Sequence, residues 1–132
     1  MKGKRYNMQL LVESGMFDVN KGQLFCYTIQ EYFDALTEFL SKHISGFGNY
    51  TPAFVVNSED ERNCFLQECY EARAVYIMLG MTALMDAVNV MEDAALKRDM
   101  DELSDGQVKF RATLKICTDI LRKAEMRWMI SR

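Results

Sequence analysis

The stretch SEDERNCFLQECYEARAVYIMLG, residues 58–80, decides the fold of this chain. Ser58 followed by Glu61 is a capping box, in which the hydroxyl and the carboxylate satisfy amide donors at the start of a helix. Glu59, Asp60 and Glu61 also bring negative charge to the positive end of the helix dipole. Behind that start, Phe65, Cys69, Ala72, Tyr76 and Leu79 alternate at four and three residues, the spacing of a seam in an antiparallel bundle. Gly80 ends or bends the segment. Because residues advance by about 100° each along a helix, Tyr70, Ala74, Ile77 and Met81 fall in a second row, on a different face from that seam. This second apolar face is either covered by another part of the chain or left as a docking patch.

Outward from this helix the same period continues. After Gly80, Thr82 is a candidate cap for a helix over 82–98, whose stripe is Leu84, Val88, Met91 and Ala95. A polar turn at Asp99 leads to a last helix over 101–130. Its seam is Leu103, Phe110, Leu114, Cys117, Leu121, Ala124 and Trp128, and Arg122, Lys123 and Arg127 lie at its negative end. Upstream, Phe25, Ile29, Tyr32, Phe33, Leu36, Phe39 and Leu40 predict a helix over 22–44 that stops at Gly46. Residues 45–57 read as an irregular connection. The leading segment, 1–21, carries a short helix over residues 4–14 and then a loop to Gly22. The expectation is one all-α domain over 1–132: an antiparallel up-and-down four-helix bundle with a short N-terminal helix.

Composition agrees with a globular helical domain. Of the 132 residues, 49% are apolar and 27% charged, and one proline (Pro52) with seven glycines is too little punctuation for an all-β fold. The formal charge is −3, with lysines and arginines dispersed along the chain, so the basic footprint of a nucleic-acid binder is missing. Lys2, Lys4 and Arg5 precede an apolar run, residues 10–12, that is too short for a secretory signal, and no stretch approaches the ~20 apolar residues of a membrane span. The expected location is cytoplasmic, without membrane contact.

Few residues are suited to catalysis. Cys26, Cys64, Cys69 and Cys117 form no CxxC pair and lie among apolar neighbours, which predicts reduced, buried thiols. His43, the only histidine, falls at the end of the predicted 22–44 helix, where packing or the helix dipole accounts for it. A single histidine with no cysteine near it offers no zinc spacing. Glu92 and Asp93, or Asp99 and Asp101, lie near a helix-to-helix turn and read as solvated. Gly46-Phe-Gly48 lacks the lysine and hydroxyl of a phosphate loop and reads as a turn. Among ten methionines, most are core filler, while Met78, Met81, Met85 and Met91 are the exception, candidates for an adaptable binding surface. No metal, cofactor or enzymatic activity is expected.

On the second row the chain resembles the histidine phosphotransfer (HPt) domains of bacterial multistep phosphorelays. Their motif is an exposed helical histidine, a lysine three residues later and a small residue at the fourth. The corresponding stretch is Tyr70-Glu71-Ala72-Arg73-Ala74, with Gly80 at the place of a common family glycine. Leu84, Val88, Met91 and Glu92 resemble the next helix of the family. Arg98-Asp99-Met100-Asp101-Glu102-Leu103 resembles its Gly-Asp-Leu-x-x-Leu turn, and the similarity spans roughly residues 62–127. The departure is at the phosphoacceptor, where Tyr70 stands in place of histidine, and a phenol is a poor nucleophile near neutral pH. The resemblance therefore implies a degenerate HPt-like adaptor. It would dock a receiver or histidine kinase domain through Tyr70, Arg73, Ala74, Ile77 and Met81 without accepting phosphate, with His43 as an unusual acceptor in a variant of that reading. The rival reading is a structural bundle acting through homo- or hetero-oligomerisation, for instance a homodimer joined by the second face.

Overall fold

The computed structural model describes residues 4–26, 28–42 and 50–126. These residues are mostly helical, in the order β1 (Arg5–Tyr6), α1 (Met8–Glu13), α2 (Val19–Gln23), α3 (Ile29–Lys42), α4 (Pro52–Asn57), α5 (Glu59–Leu79), α6 (Thr82–Lys97), α7 (Met100–Ala124) and β2 (Glu125–Met126). His43, Gly46, Gly48 and Trp128 lie outside the described residues.

Helix α5 begins and ends where local chemistry dictates. The Ser58 hydroxyl accepts the Glu61 amide at 3.2 Å, and Gly80 closes the helix in the left-handed conformation with φ 72°. Helix α7 starts in the same way, with the Asp99 carboxylate accepting the Glu102 amide at 3.0 Å. Thr82 does not cap α6. It is the first helical residue, and Met81 occupies the cap position with no side-chain hydrogen bond to the helix.

Several elements differ from the sequence expectation, beginning with the leading helix expected over residues 4–14, which is α1 (Met8–Glu13) with β1 in place of its start. Helix α3 starts at residue 29 rather than 22, because Thr28 and Glu31 form their own capping box: each side chain accepts the other's amide at 3.1 Å. Phe25 thus lies outside the helix and is 53% exposed. The expected loop before Gly22 contains α2, capped by Asp18. The connection after residue 45 contains α4, with Pro52 at the first helical position, where its missing amide hydrogen costs nothing.

The last helix ends at Ala124 instead of continuing to 130. The chain there becomes β2, antiparallel to β1, with Arg5 opposite Met126 and Tyr6 opposite Glu125. The Asn7 amide donates to the Ala124 carbonyl at 2.7 Å, and Lys4 pairs with Glu125 at 2.6 Å. The two ends of the described chain are thereby clasped together, and the Tyr6 ring is buried against Phe33 of α3.

Most of the predicted stripe residues turn inward, although Ile29 is 43% exposed, and Leu11, Phe17, Val19 and Val55 of the shorter elements and connections join them in the core. Tyr32, Phe33, Leu36 and Phe39 of α3, Phe65, Cys69, Tyr76 and Leu79 of α5, Leu84, Val88, Met91 and Ala95 of α6, and Leu103, Phe110, Leu114, Cys117, Leu121 and Ala124 of α7 are buried. Helix α6 packs against both α5 and α7, and α3 against α5 and α7. An aromatic chain crosses the centre, with Tyr76 edge-on to Phe39 at 6.1 Å and tilted against Phe110 at 6.4 Å. Helix α2 lies over the C-terminal end of α5. The buried Tyr32 hydroxyl donates to the Leu79 carbonyl at 2.8 Å, and the Asp18 amide donates to the Gly80 carbonyl at 2.6 Å. Among the described residues no buried side-chain nitrogen or oxygen lacks a hydrogen-bond partner. No described helix is long and apolar enough to cross a membrane.

Candidate functional site

The second row of α5 divides in two. Tyr70, nearly midway along the helix, is 65% exposed, Ala74 is exposed and Ile77 is 42% exposed. Met81, expected on the same face, is completely buried. The extrapolation at 100° per residue fails at Gly80, whose positive φ redirects the backbone. Met81 then belongs to the α5–α6 corner, where its side chain packs into the core, so it is no part of a docking surface. Met78 adds apolar area instead, at 46% exposed. Met85 is half-buried and Met91 fully buried.

Arg73 is also placed differently from the expectation of a cation presented to a partner. Its guanidinium donates to both oxygens of Glu92 on α6, at 2.9 Å and 3.0 Å, and to the Asn89 side-chain oxygen at 2.9 Å. The pairing is the two-pronged geometry that matches guanidinium to carboxylate. The hydrogen bond to Glu92, ahead of the opposing effect of burial, holds the guanidinium pKa above its ordinary value. Arg73 therefore ties α5 to α6, and Glu92, expected to be solvated, is its partner. Neither partner was legible in sequence, because nothing local states which face of α6 meets which face of α5. Asp93 pairs with Lys97 at 2.9 Å, and Asp99 serves as the α7 cap.

The thiols separate by burial. Cys69 and Cys117 are inaccessible, and burial pushes both thiols up to about 12, with the nearby Glu92 carboxylate adding to the effect at Cys69. Cys64, in contrast to the expectation, is exposed, because it lies off the seam of α5. Cys26 is half-buried, its pKa raised by burial and by Glu31. Partial burial, then repulsion from Glu71, raises the Glu68 carboxyl despite its hydrogen bond with Tyr50. Among the described residues no three of His, Cys, Asp and Glu converge as metal ligands.

What the α5 face offers is contact chemistry: an aromatic ring, a methyl group and a branched aliphatic side chain, bordered by an ion pair whose charges offset each other. No protein-family model, curated protein or solved structure matches the chain.

Proposed function

We propose that the chain is an HPt-like adaptor of two-component signalling, in which α3, α5, α6 and α7 act as the four-helix bundle and the α5 face docks a receiver or histidine kinase domain without taking up phosphate. The observation that carries this reading is Tyr70: its phenol projects into solvent, 65% exposed, from the middle of the 21-residue helix α5. That is the position at which the resemblance would mount an imidazole. Ala74 and Ile77 extend the face, with small and apolar groups that let another helix approach closely. Arg73 supports docking over transfer, because its charge is offset by Glu92 and it does not stand alone beside an incoming phosphoryl group.

The test is to titrate the full chain against the receiver and histidine kinase domains of its source organism by calorimetry, and to mix it with each receiver carrying radiolabelled aspartyl phosphate. The expected result is a complex with at least one domain, weakened by Tyr70→Asp, with no label on this chain. Label on His43 overturns the non-carrying adaptor, and absence of binding to every domain overturns docking.

A second reading, a scaffold bundle that self-associates, is favoured by one observation. Leu24, Phe25, Ile77 and Met78 are all exposed apolar side chains near the C-terminal half of α5. Sedimentation distinguishes it: a stable dimer that dissociates on Ile77→Asp supports this second reading.

A further inference from the structure

Between the end of α2, the last turn of α5 and the first turn of α6 lies a solvent-open cavity of about 320 Å³. That volume lies at the lower end of the range of small-molecule sites, which combine apolar walls with a few polar groups that orient the ligand. Its walls are almost entirely apolar and include Leu24, Phe25, Ile77 and Met85, and Lys21 and Thr82 are the lining residues whose side chains carry a polar group able to reach a ligand at the rim. Among the described residues lining it, Lys21 carries the one charge, and its ammonium forms no ion pair with a described residue.

The cavity follows from the local fold. Gly22 lets α2 settle onto the Tyr32 ring, and Gly80 accepts the Asp18 amide, which fixes α2 across the end of α5. Leu24 and Phe25, just past α2, then project beyond the helix contact, 81% and 53% exposed. Apolar surface left in water at the rim of a concave site is a driving force for an apolar ligand. A single cation at the edge complements a single negative charge, while the net charge of −3 on the chain disfavours multiply charged anions.

We propose that this cavity binds a small amphiphilic monocarboxylate. Its hydrocarbon part sits among Leu24, Phe25, Ile77 and Met85, and its carboxylate accepts hydrogen bonds from Lys21 and Thr82. Ile77 also belongs to the proposed docking face, but this inference stands on the cavity and is tested without a protein partner.

The experiment titrates decanoate, below its micelle concentration, into the isotope-labelled full chain and follows amide shifts. Saturable changes confined to residues 21–25, 77 and 82–85 are expected. Lys21→Gln, an exposed position that leaves the core intact, is expected to weaken decanoate about five- to tenfold while leaving decanol binding unchanged. Met85→Trp, which fills the cavity, is expected to abolish binding of both. Shifts that never saturate or that spread over the whole surface overturn the proposal, as does an equal loss of decanol affinity in Lys21→Gln. Concentration-dependent shifts at the same residues without ligand also overturn it, because they assign the cavity to a second copy of the chain.

Discussion

Arg73 of α5 and Glu92 of α6 are joined by two parallel hydrogen bonds of 2.9 Å and 3.0 Å, so the cation next to the exposed Tyr70 holds two helices together. Both side chains remain about a quarter exposed, at 24% and 28%, and solvent screens their attraction. Arg73→Ala is expected to lower stability by about 1 kcal/mol, and a double-mutant cycle with Glu92→Ala to return a coupling of about 0.5–1 kcal/mol. Arg73→Lys is expected to fall between, because an ammonium cannot reproduce the planar fork. Urea denaturation measures all of these, and zero coupling would show that the pair does not form in solution.

Two tyrosines six residues apart on α5 are expected to behave in opposite ways. Tyr70→Ala removes an exposed ring and is expected to change stability by no more than about 0.5 kcal/mol. Tyr76→Ala empties the space between Phe39 and Phe110 and is expected to lose about 3–5 kcal/mol. Thermal melts of the two variants suffice, and similar melting temperatures would contradict the orientation of α5.

The two helix ends flanking α6 make a paired test of backbone strain. At Gly80 the φ is 72° and an added Cβ would run into the Asp18 carbonyl, so Gly80→Ala is expected to destabilise by about 2–4 kcal/mol. Arg98 adopts φ 58° at the end of α6, a conformation that disfavours side chains, so Arg98→Gly is expected to stabilise by about 0.5–1 kcal/mol. Opposite signs in denaturant midpoints check both.

The cysteines predict reactivity and an alkaline limit together. At pH 8 iodoacetamide is expected to modify Cys64 first, then Cys26, and to spare Cys69 and Cys117, as read by mass spectrometry of digested protein. The folded thiols of Cys69 and Cys117 titrate near 12 against an ordinary value of 9.0, so the folded state keeps protons that the unfolded chain releases. Their contribution is whole below about pH 9 and is lost between 9 and 12, at up to ~1.4 kcal/mol per pH unit for each thiol. The buried phenols of Tyr32 and Tyr76, also raised by burial from an ordinary value of 10.0, add to the loss from about pH 10 upward. Replacing both cysteines by alanine should flatten the onset of alkaline unfolding measured by circular dichroism.

Much of the helical content was legible because its signals are local. The Ser58 cap and Gly80 mark both ends of α5 within a few residues of chain, although the Glu61 half of the expected capping box does not form because the Ser58 amide donates to the Phe54 carbonyl, and the stripes of α5, α6 and α7 turn inward as their periods require. The start of α3 was equally local in the Thr28 and Glu31 box, but the apolar spacing of Phe25 and Ile29 outweighed it in a reading by period alone. On the α5 face, the exposure of Tyr70, Ala74 and Ile77 follows from 100° per residue, whereas the burial of Met81 follows from a change of backbone direction that period cannot carry across a glycine.

Sequence by itself determined the helical class and the row on which Tyr70 lies, since both depend on contacts within one or two turns. Only the tertiary structure decided that Arg73 meets Glu92 and Asn89, that α2 seats against Gly80, and that β1 closes on β2 across the length of the chain. Each of these joins segments whose relative register is set by how the buried side chains of the whole core fit together, and no short stretch of residues encodes that fit.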